Sequence, residues 1–450
     1  MSETFEQALA SCNDMGPDAF KTFAASIEPE WIEQALTATG TASVRRRKLP
    51  AGQVLWLILG MCLYSDRCIR DVCDHLRLVL PTVKKLAASA LPKARYNLGS
   101  EPLKWLFYRY AETYAVDPAR GRFAGLSLFA VDGTCVVVPD TDANFEAFDK
   151  PSARGDDNDS GYPQVRVAAL MNLDTRMLVD AAIGGYRTSE IRLCRKLWER
   201  LEDNSITLLD RGFADHESLC GIIHSGTRRH VLVRFPKHRK FSPDIGFPDG
   251  SLGGHIPRPR SAPKHLPAKL EGRIIHYKHP DGKEGRLFTT ITDIEEGPAD
   301  RLVELYHQRW DIEMAFDELK THLRYRREAL RSKKPEGVYQ ELWGLFLLYN
   351  LVRYEMLGAA DAHKVHPNRI SFWSSLHVIR HFWMMSAMTS SPGNIPKQLV
   401  DFHSTFNALV LPKRRPDRRF PRRVKIKMSH YLRKRNPRPP KQIDERQDGA

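Results

Sequence analysis

The sequence predicts an α/β protein with a mixed β-sheet, preceded by a helical region and followed by a basic segment. Residues 1–120 place apolar residues at helical spacing and contain almost no alternating pattern. Residues 121–235 contain several short strand-like runs and two segments of helical period. Residues 413–441 hold 14 lysines or arginines and one acid, Asp417, and therefore +13 of the chain's formal net charge of +15.

The N-terminal region contains its clearest helices in the stretches QVLWLILGMCLY, IRDVCDHLRLVL and PLKWLFYRYAETYA. Pro50 is well placed to start the first of them. A helical pair joined around Ser65 and Asp66 is followed by a polar, basic stretch with turn residues. This order fits a helix-turn-helix-like DNA-binding unit, and it fits equally a helical packing module.

Two aspartates follow predicted strands in the central region. The buried run LSLFAV is expected to end at Asp132, before Gly133, and the run SITLL leads into Asp210. Between them lie two strands joined by the hairpin signal NLDT, and one helix over residues 189–202. Three hairpin-linked strands followed by a crossover into a fourth predict a mixed sheet with helices packed on it. Both aspartates are expected at the C-terminal ends of strands.

The second half of the chain begins with residues rich in Pro, Gly, Lys and His. A structureless loop of this length is improbable inside a domain, so we predict a small β-rich unit that closes with the strand RLFTTIT. Apolar helices then complete the core. The predicted divisions are an N-terminal helical domain (1–120), the first part of the core (121–235), a β-rich insertion (236–298), the second part of the core (299–400) and a basic C-terminal tail (401–450).

The stretch YHQRWDIEMAFDELK places four polar side chains on one side of a predicted helix. At 100° per residue, Tyr306, Arg309, Glu313 and Lys320 fall within an arc of about 60°. Apolar residues form a stripe directly beside this arc, so the arc lies at the edge of a core, where an active site is held rigidly. Asp317 is a rival carboxylate on the same arc.

Three of the carboxylates singled out so far lie on three separate elements and predict a metal site. Asp132, Asp210 and Glu313 offer hard oxygen ligands, which suit Mg²⁺ or Mn²⁺ and not zinc. Two such ions activate the attacking oxygen and neutralise the leaving oxygen in phosphodiester displacement. Beside them, Arg309 and Lys320 have the chemistry to bind phosphates.

Each of these signals also has an ordinary structural interpretation. An Asp-Gly pair after a strand is usually a turn, and the charges from Glu313 to Lys320 fit a solvated helix face. Tyr306 could give a phosphate hydrogen bond or a stacking surface, and Trp310 fits either packing or the rim of a site. Only the conjunction of these residues favours catalysis.

The same residues carry a resemblance to a known family. The spacing Tyr306-x2-Arg309-x3-Glu313-x6-Lys320 resembles the Tyr-Arg-Glu-Lys signature of the insertion-sequence-4 family of DDE transposases, and VDGT and LLDRG resemble its two aspartate motifs. The stretch RRRKLPAGQVLWLILGMCLYSDRCIRDV resembles the family's N-terminal helical domain, and RRVKIKMSHY resembles its basic C-terminal segment. The likeness extends over residues 28–434.

The resemblance implies an RNase H-like core that a β-rich insertion interrupts between the second aspartate and the glutamate. It implies that Asp132, Asp210 and Glu313 are catalytic and hold two Mg²⁺ ions, with Mn²⁺ as a substitute, and it decides against Asp317. It also implies that three residues of the signature contact the DNA backbone at the transposon end, namely Tyr306, Arg309 and Lys320.

The implied function is cut-and-paste transposition. The enzyme would bind the terminal inverted repeats of an insertion element, nick the DNA by hydrolysis, and join the freed 3′-hydroxyl to target DNA, inside a homodimeric complex with double-stranded DNA. Two alternatives are an RNase H-like nuclease without strand transfer and a transposase-derived DNA-binding protein without catalysis. Some family members form a DNA hairpin and stack a flipped base on a tryptophan of the insertion. This chain has no tryptophan between Trp198 and Trp310, so Phe241, Phe247 or Tyr277 would have to supply the stacking face.

Composition points to an intracellular protein. No apolar run reaches the roughly 18 residues of a membrane span, and the N-terminus lacks a basic and then apolar leader. The seven cysteines include no CxxC pair, which indicates reduced thiols and no zinc site. We therefore expect no membrane partner and a cytoplasmic, nucleoid-associated location in a bacterium.

Overall fold

The structure is a computed structural model, and it describes residues 26–42, 49–75, 87, 89–151, 161–278, 284–323, 329–362, 364–388 and 410–411. The basic segment 413–441 lies outside the described residues. So do residues 76–86 and 88, which include the start of the stretch that follows the candidate helix-turn-helix pair. Predictions for both therefore stay predictions.

The described chain begins and ends with groups of helices, and three further helices lie between the strands. The α-helices are α1 (Pro29–Ala38), α2 (Ala51–Leu63), α3 (Ile69–His75), α4 (Ala90–Leu98), α5 (Glu101–Tyr114), α6 (Asp142–Phe148), α7 (Glu190–Arg195), α8 (His216–His224), α9 (Ala299–Tyr306), α10 (Trp310–Asp317), α11 (Pro335–Ala362) and α12 (Phe372–Met388). Short 3₁₀ turns cover Trp198–Arg200, Arg211–Phe213, His307–Arg309 and Pro367–Arg369, and a π-helical turn covers Glu318–Leu323.

Nine described strands form one sheet. They are β1 (Ser127–Val137), β2 (Gln164–Asn172), β3 (Leu178–Gly185), β4 (Ser205–Leu209), β5 (Arg229–Arg234), β6 (Ser242–Gly246), β7 (Leu252–Pro257), β8 (Lys269–Lys278) and β9 (Glu284–Thr289). Their spatial order is β3-β2-β1-β4-β5-β9-β8-β7-β6. The pairs β1–β4 and β4–β5 are parallel and the others are antiparallel. The predicted mixed sheet is confirmed.

The N-terminal helices share a hydrophobic core with the sheet. Helix α2 starts after Pro50, as expected, and its residues from Val54 to Leu63 are buried except Trp56. Both α2 and α5 pack against α11, and a single apolar cluster runs from these helices to one face of the sheet. Helix α2 is therefore a packing element. The predicted DNA-binding role stays a prediction for the helices beside it. The proposed domain boundaries stay a prediction.

The two faces of the sheet carry different helices because side chains alternate along each strand. On β1, Leu128 and Ala130 join the core beneath α10 and α11. Phe129 and Val131 point to the opposite face and join the core beneath α7 and α8. The side chain of Asp132 continues the first series and so belongs to the α10 face.

Strand β1 is longer than predicted. The sequence placed its end at Asp132, but the strand continues to Val137 because β2 pairs with it from Phe129 to Val137, including Gly133 with Ala168. A nonlocal partner thus overrides the local turn preference of the Asp-Gly pair. Asp132 lies within a strand, whereas Asp210 directly follows β4 as predicted.

The predicted β-rich insertion is joined to the main sheet. Its last strand, β9, pairs antiparallel with β5, and β8, β7 and β6 continue the same sheet outward. Strand β5 would otherwise expose a row of unpaired backbone groups, and β9 satisfies them. The insertion therefore extends the main sheet.

The predicted helix over residues 189–202 is also shorter in the structure. Helix α7 ends at Arg195, and a 3₁₀ turn follows it. In a 3₁₀ turn, residues three apart lie on one side, and Trp198 and Leu201 are both buried in the core. Among the described helices, none has the length and apolar content needed to cross a membrane.

Candidate active site

Parallel pairing of β1 and β4 brings the two predicted aspartates to one edge of the sheet. The last paired residues are Ala130 of β1 and Leu208 of β4. Asp132 and Asp210 each lie two residues further along their chains. Because parallel strands keep their register, the two aspartates lie at the same level. The sequence predicted this neighbourhood, although it misplaced the end of β1.

The carboxyl group of Asp132 lies in a half-buried, acidic environment. Its Oδ1 accepts a hydrogen bond from the backbone N–H of Gly133 at 2.8 Å. Burial raises the pKa of Asp132 to about 6, the nearby Glu190 and Glu313 carboxylates also raise it, and the charge of Arg309 lowers it. A cation bound beside this carboxyl group would lower its pKa, because a positive charge favours the ionised form.

Glu313 is paired with an arginine of the same helical segment. Arg309 Nη2 donates a hydrogen bond to Glu313 Oε1 at 2.6 Å, and their side chains are 12% and 33% exposed. Burial disfavours the charge of Arg309, but the electrostatic influence of Tyr306, Glu313 and Asp210 outweighs it and raises its pKa. Arg309 is thus the cation that faces the candidate carboxylates.

Tyr306 lies deeper than the sequence predicted. The residue is buried, and its hydroxyl donates a hydrogen bond to the backbone oxygen of Leu209 at 3.1 Å. Leu209 directly precedes Asp210, so Tyr306 fixes the chain that carries the second aspartate. The predicted contact of Tyr306 with the DNA backbone stays a prediction.

Lys320 lies beyond the end of α10, within the π-helical turn. It lines a narrow apolar gap of about 20 Å³ together with Thr134 and Val136 of β1. Its charge lowers the pKa of Cys135, against the larger raising effect of burial. Lys320 is therefore held beside the part of β1 that follows Asp132. Asp317, the rival carboxylate, is exposed.

The donor chemistry of Asp132, Asp210 and Glu313 fits hard divalent cations, because all three supply carboxylate oxygens from rigid elements. Within the part of the chain that the structure describes, no three His, Cys, Asp or Glu side chains are placed to hold a metal ion. One reason is visible in the structure, since Glu313 is bound to Arg309. Glu313 has to exchange this partner to serve as a ligand.

A basic cleft beside Asp210 was missed at the sequence level. It has a volume of about 510 Å³ and lies between the turn after β4, the loop after β5 and the start of β9. Its cationic lining consists of Arg211, Arg234, Lys237, Arg239 and Arg286. The signal was present in the stretches LLDRG and VRFPKHRK, but only the sheet order brings these cations together.

Glu190, at the start of α7, was also missed. A Cβ on Gly133 would lie 2.4 Å from Glu190 Cγ, so the missing side chain at Gly133 makes room for the glutamate. Arg166 Nη1 donates to Glu190 Oε2 at 3.3 Å. The glycine of VDGT, which the sequence interpretation treated as a turn signal, therefore serves close packing.

The aromatic candidates of the insertion are engaged in packing. Tyr277 is buried, and Phe241 contacts the ring of Phe288 at a centroid distance of 6.3 Å. Phe247 lies beneath the guanidinium of Arg273 at 5.9 Å. In contrast, Trp310 is 52% exposed beside Arg309, which favours the rim interpretation over packing.

Comparison with known proteins agrees with this geometry. The family model described as "Insertion element 4 transposase N-terminal" matches residues 17–108, and the model described as "Transposase DDE domain" matches residues 124–351. The transposase InsG for insertion sequence element IS4 of Escherichia coli (strain K12) is 33% identical over 413 residues, which are 90% of this chain and 92% of that protein. The chain belongs to the insertion-sequence-4 family of DDE transposases.

This membership confirms the RNase H-like fold class and the function predicted from the sequence. The transposase is a metal-dependent enzyme that cleaves DNA and transfers strands. The putative transposase InsZ of the same organism is 35% identical over 235 residues, 49% of this chain and 73% of that protein. A solved structure, the cryo-EM structure of a piggyBac transposase synaptic complex with hairpin DNA, covers 88% of this chain and 85% of its own at 11% identity and a TM-score of 0.44. That likeness is too low to carry any argument about this transposase.

Proposed function

We propose that Asp132, Asp210 and Glu313 are the catalytic carboxylates of this transposase and hold two Mg²⁺ ions, which Mn²⁺ can replace. The observation that carries this proposal is the parallel register of β1 and β4, which aligns the two aspartates. Helix α10 packs on β1 and brings Glu313 within electrostatic reach of Asp132. The ions supply activation of the attacking oxygen and neutralisation of the leaving oxygen.

The remaining signature residues position the site and bind DNA. Tyr306 holds the backbone before Asp210 through its bond to Leu209. Arg309 releases Glu313 when a DNA phosphate competes for its guanidinium, since phosphate accepts the same charge-assisted hydrogen bonds as a carboxylate. Lys320 offers its ammonium to the phosphate backbone from beside β1.

The substrates are the terminal inverted repeats of an insertion element and a target duplex. Two element ends have to be processed together, so we infer a homodimeric protein–DNA complex. We further infer that the transposase acts in the cytoplasm of a bacterium, at the nucleoid, where its substrate lies.

Strand transfer by the purified chain tests this function. A labelled duplex with the candidate terminal repeat is incubated with target DNA and Mg²⁺, Mn²⁺ or EDTA, and products are separated on a denaturing gel. Joined strands are expected with either ion and not with EDTA. Cleavage without joining would leave the nuclease alternative, and a hairpin band would show that second-strand cleavage uses that intermediate.

Divalent metal binding is expected to weaken as the pH falls through about 6, because Asp132 takes up a proton there. The effect on folding has the opposite sign. The folded-state pKa lies above the ordinary 3.8, so the neutral form favours folding and stability is lost as the pH rises from 3.8 to about 6. Calorimetric titration with Mn²⁺ at several pH values between about 5 and 8 measures the first effect. Asp132→Asn is the control and has no step in this window. Constant affinity of the wild type would contradict the assignment.

Neutralising the basic cleft is expected to weaken DNA binding for all sequences alike. Arg234→Gln and Lys237→Gln each remove one phosphate-binding cation, and each is expected to reduce the slope of log K against log salt by about 0.9. Fluorescence anisotropy of a labelled duplex at several salt concentrations measures the slope. Lys196→Gln, an exposed lysine that lines a different pocket beside Tyr108 and Asp180, is the matched control. Unchanged slopes for both cleft variants would exclude the cleft from the DNA path.

A further inference from the structure

The π-helical turn after α10 is the feature of the active site that neither the family signature nor the sequence accounts for. A π turn closes its hydrogen bonds over five residues, where an α-helix uses four, so each residue advances by less than 100°. Lys320 lies two residues inside this turn, which begins at Glu318. The direction of Lys320 relative to Glu313 therefore depends on the turn. Such turns are uncommon and occur frequently at functional sites.

A buried polar network holds the first residue of the turn. Arg353, on α11, is 2% exposed and forms an ion pair with Glu318. The hydroxyl of Tyr349 donates to Glu318 Oε2 at 3.3 Å and accepts from Arg353 Nε at 3.0 Å. The guanidinium also lies over the rings of Tyr349 and Phe372, at 5.3 and 5.1 Å. We call Glu318, Tyr349 and Arg353 the turn anchor.

Within the turn anchor, Arg353 stays charged and Tyr349 stays neutral. Burial opposes a charge on Arg353, but the Glu318 carboxylate and Tyr349 outweigh burial and raise the pKa of the guanidinium. Burial likewise raises the pKa of Tyr349, which stays a neutral donor. A buried and fully paired network of this kind specifies one geometry, because any other arrangement leaves a buried charge without its partner.

A second buried ion pair holds the same helical segment before the turn. Arg176 Nη2 donates to Asp311 Oδ1 at 2.8 Å, and Asn368 Nδ2 donates to Asp311 Oδ2 at 3.3 Å. Asp311 lies seven residues before Glu318, which on an α-helix is the same side. The two ion pairs hold different parts of the segment. Asp311 fixes α10 itself, whereas Glu318 fixes the turn that follows it.

We propose that Glu318, Tyr349 and Arg353 are positioning residues, which fix the π-helical turn and so hold Lys320 beside β1 for contact with a DNA phosphate. The inference rests on the proposed contact between Lys320 and the DNA backbone. Lys320 lines the gap beside Thr134 and Val136 of β1, so its place there depends on the direction that the turn gives it. Without the turn anchor, the segment is free to continue as an α-helix, and Lys320 rotates away from β1.

A double-mutant cycle on the full chain tests the proposal. Binding of a labelled duplex of arbitrary sequence is measured by anisotropy for wild type, Lys320→Ala, Glu318→Gln and the double variant. Lys320→Ala is expected to weaken binding about tenfold, which is typical for a lost hydrogen bond to a charged group. Glu318→Gln is expected to weaken binding by a similar factor, although it removes a negative charge. The double variant is expected to bind no more weakly than either single variant.

Asp311→Asn is the matched control, because it breaks a buried ion pair on the same helical segment before the turn. Its effect is expected to multiply with that of Lys320→Ala. Tyr349→Phe keeps the packing and removes one donor to Glu318, so it is expected to shift binding in the same direction by a smaller factor, even where Glu318→Gln does not fold.

The outcomes distinguish the phosphate contact of Lys320 from the positioning role of the turn anchor. Tighter binding by Glu318→Gln, or multiplication of its effect with that of Lys320→Ala, would overturn the positioning role alone. Wild-type binding by Lys320→Ala would remove the proposed phosphate contact, and the positioning role with it. The positioning role is established if Glu318→Gln and Lys320→Ala weaken binding equally and their effects do not multiply in the double variant. The effect of Asp311→Asn has to multiply with that of Lys320→Ala in the same assay.

Discussion

Replacement of Glu313 by glutamine is expected to reduce DNA cleavage and strand transfer by about a thousandfold, while DNA binding stays within a few fold. The amide has the size of the carboxyl group but lacks its charge, so it neither binds a hard cation well nor pairs with Arg309. A loss of about 4 kcal/mol in transition-state stabilisation corresponds to this factor. Quantitative strand-transfer assays with Mg²⁺, beside anisotropy on the same duplex, separate the two effects.

Asp317→Asn provides the control for this experiment. Asp317 lies four residues after Glu313, carries the same charge as the glutamate, and is exposed on the same helix. It is expected to retain activity within about twofold, since an exposed charge contributes little. Equal losses for both variants would indicate a general electrostatic effect, and a fully active Glu313→Gln would remove the glutamate from the catalytic assignment.

The sequence predicted what depends on local pattern. Strand β4 covers the run SITLL as expected, and Asp210 directly follows it. The i,i+4 spacing of Arg309 and Glu313 is visible in the sequence, and the structure joins these residues in an ion pair. In each case, short-range periodicity determines the geometry.

Features that depend on distant partners were not predictable. Asp132 lies within β1 because β2 pairs with β1 from Phe129 to Val137, and the residues near Asp132 do not indicate this pairing. The insertion joins the main sheet because β5 has a free edge for β9. Local turn and loop composition carries no information about either partner.

The burial of Tyr306 shows what helix periodicity alone leaves open. The sequence placed Tyr306 and Arg309 on one arc by assuming 100° per residue. The 3₁₀ turn over His307–Arg309 also keeps residues three apart on one side. Tyr306 nevertheless lies in the core, where its hydroxyl donates to the backbone oxygen of Leu209, while Arg309 pairs with Glu313. The partner of Tyr306 lies on a distant strand, so local spacing could not predict its burial.

Replacement of Arg353 by methionine is expected to lower the free energy of unfolding by about 3–5 kcal/mol, the range for breaking a buried ion pair from one side. Methionine fills similar space between Tyr349 and Phe372 but leaves the Glu318 carboxylate, which is 13% exposed, without its cation. Urea denaturation of the purified chain measures the loss.

The double variant Glu318→Leu with Arg353→Met distinguishes an unpaired charge from lost packing. It removes both charges, and replacing a whole buried pair by apolar groups is often neutral for stability. Stability is therefore expected to return to within about 1 kcal/mol of wild type, whereas DNA binding stays weak because the π-helical turn has lost the partner that specifies it. A double variant as unstable as Arg353→Met would show that the guanidinium acts through its ring contacts with Tyr349 and Phe372, and not through Glu318.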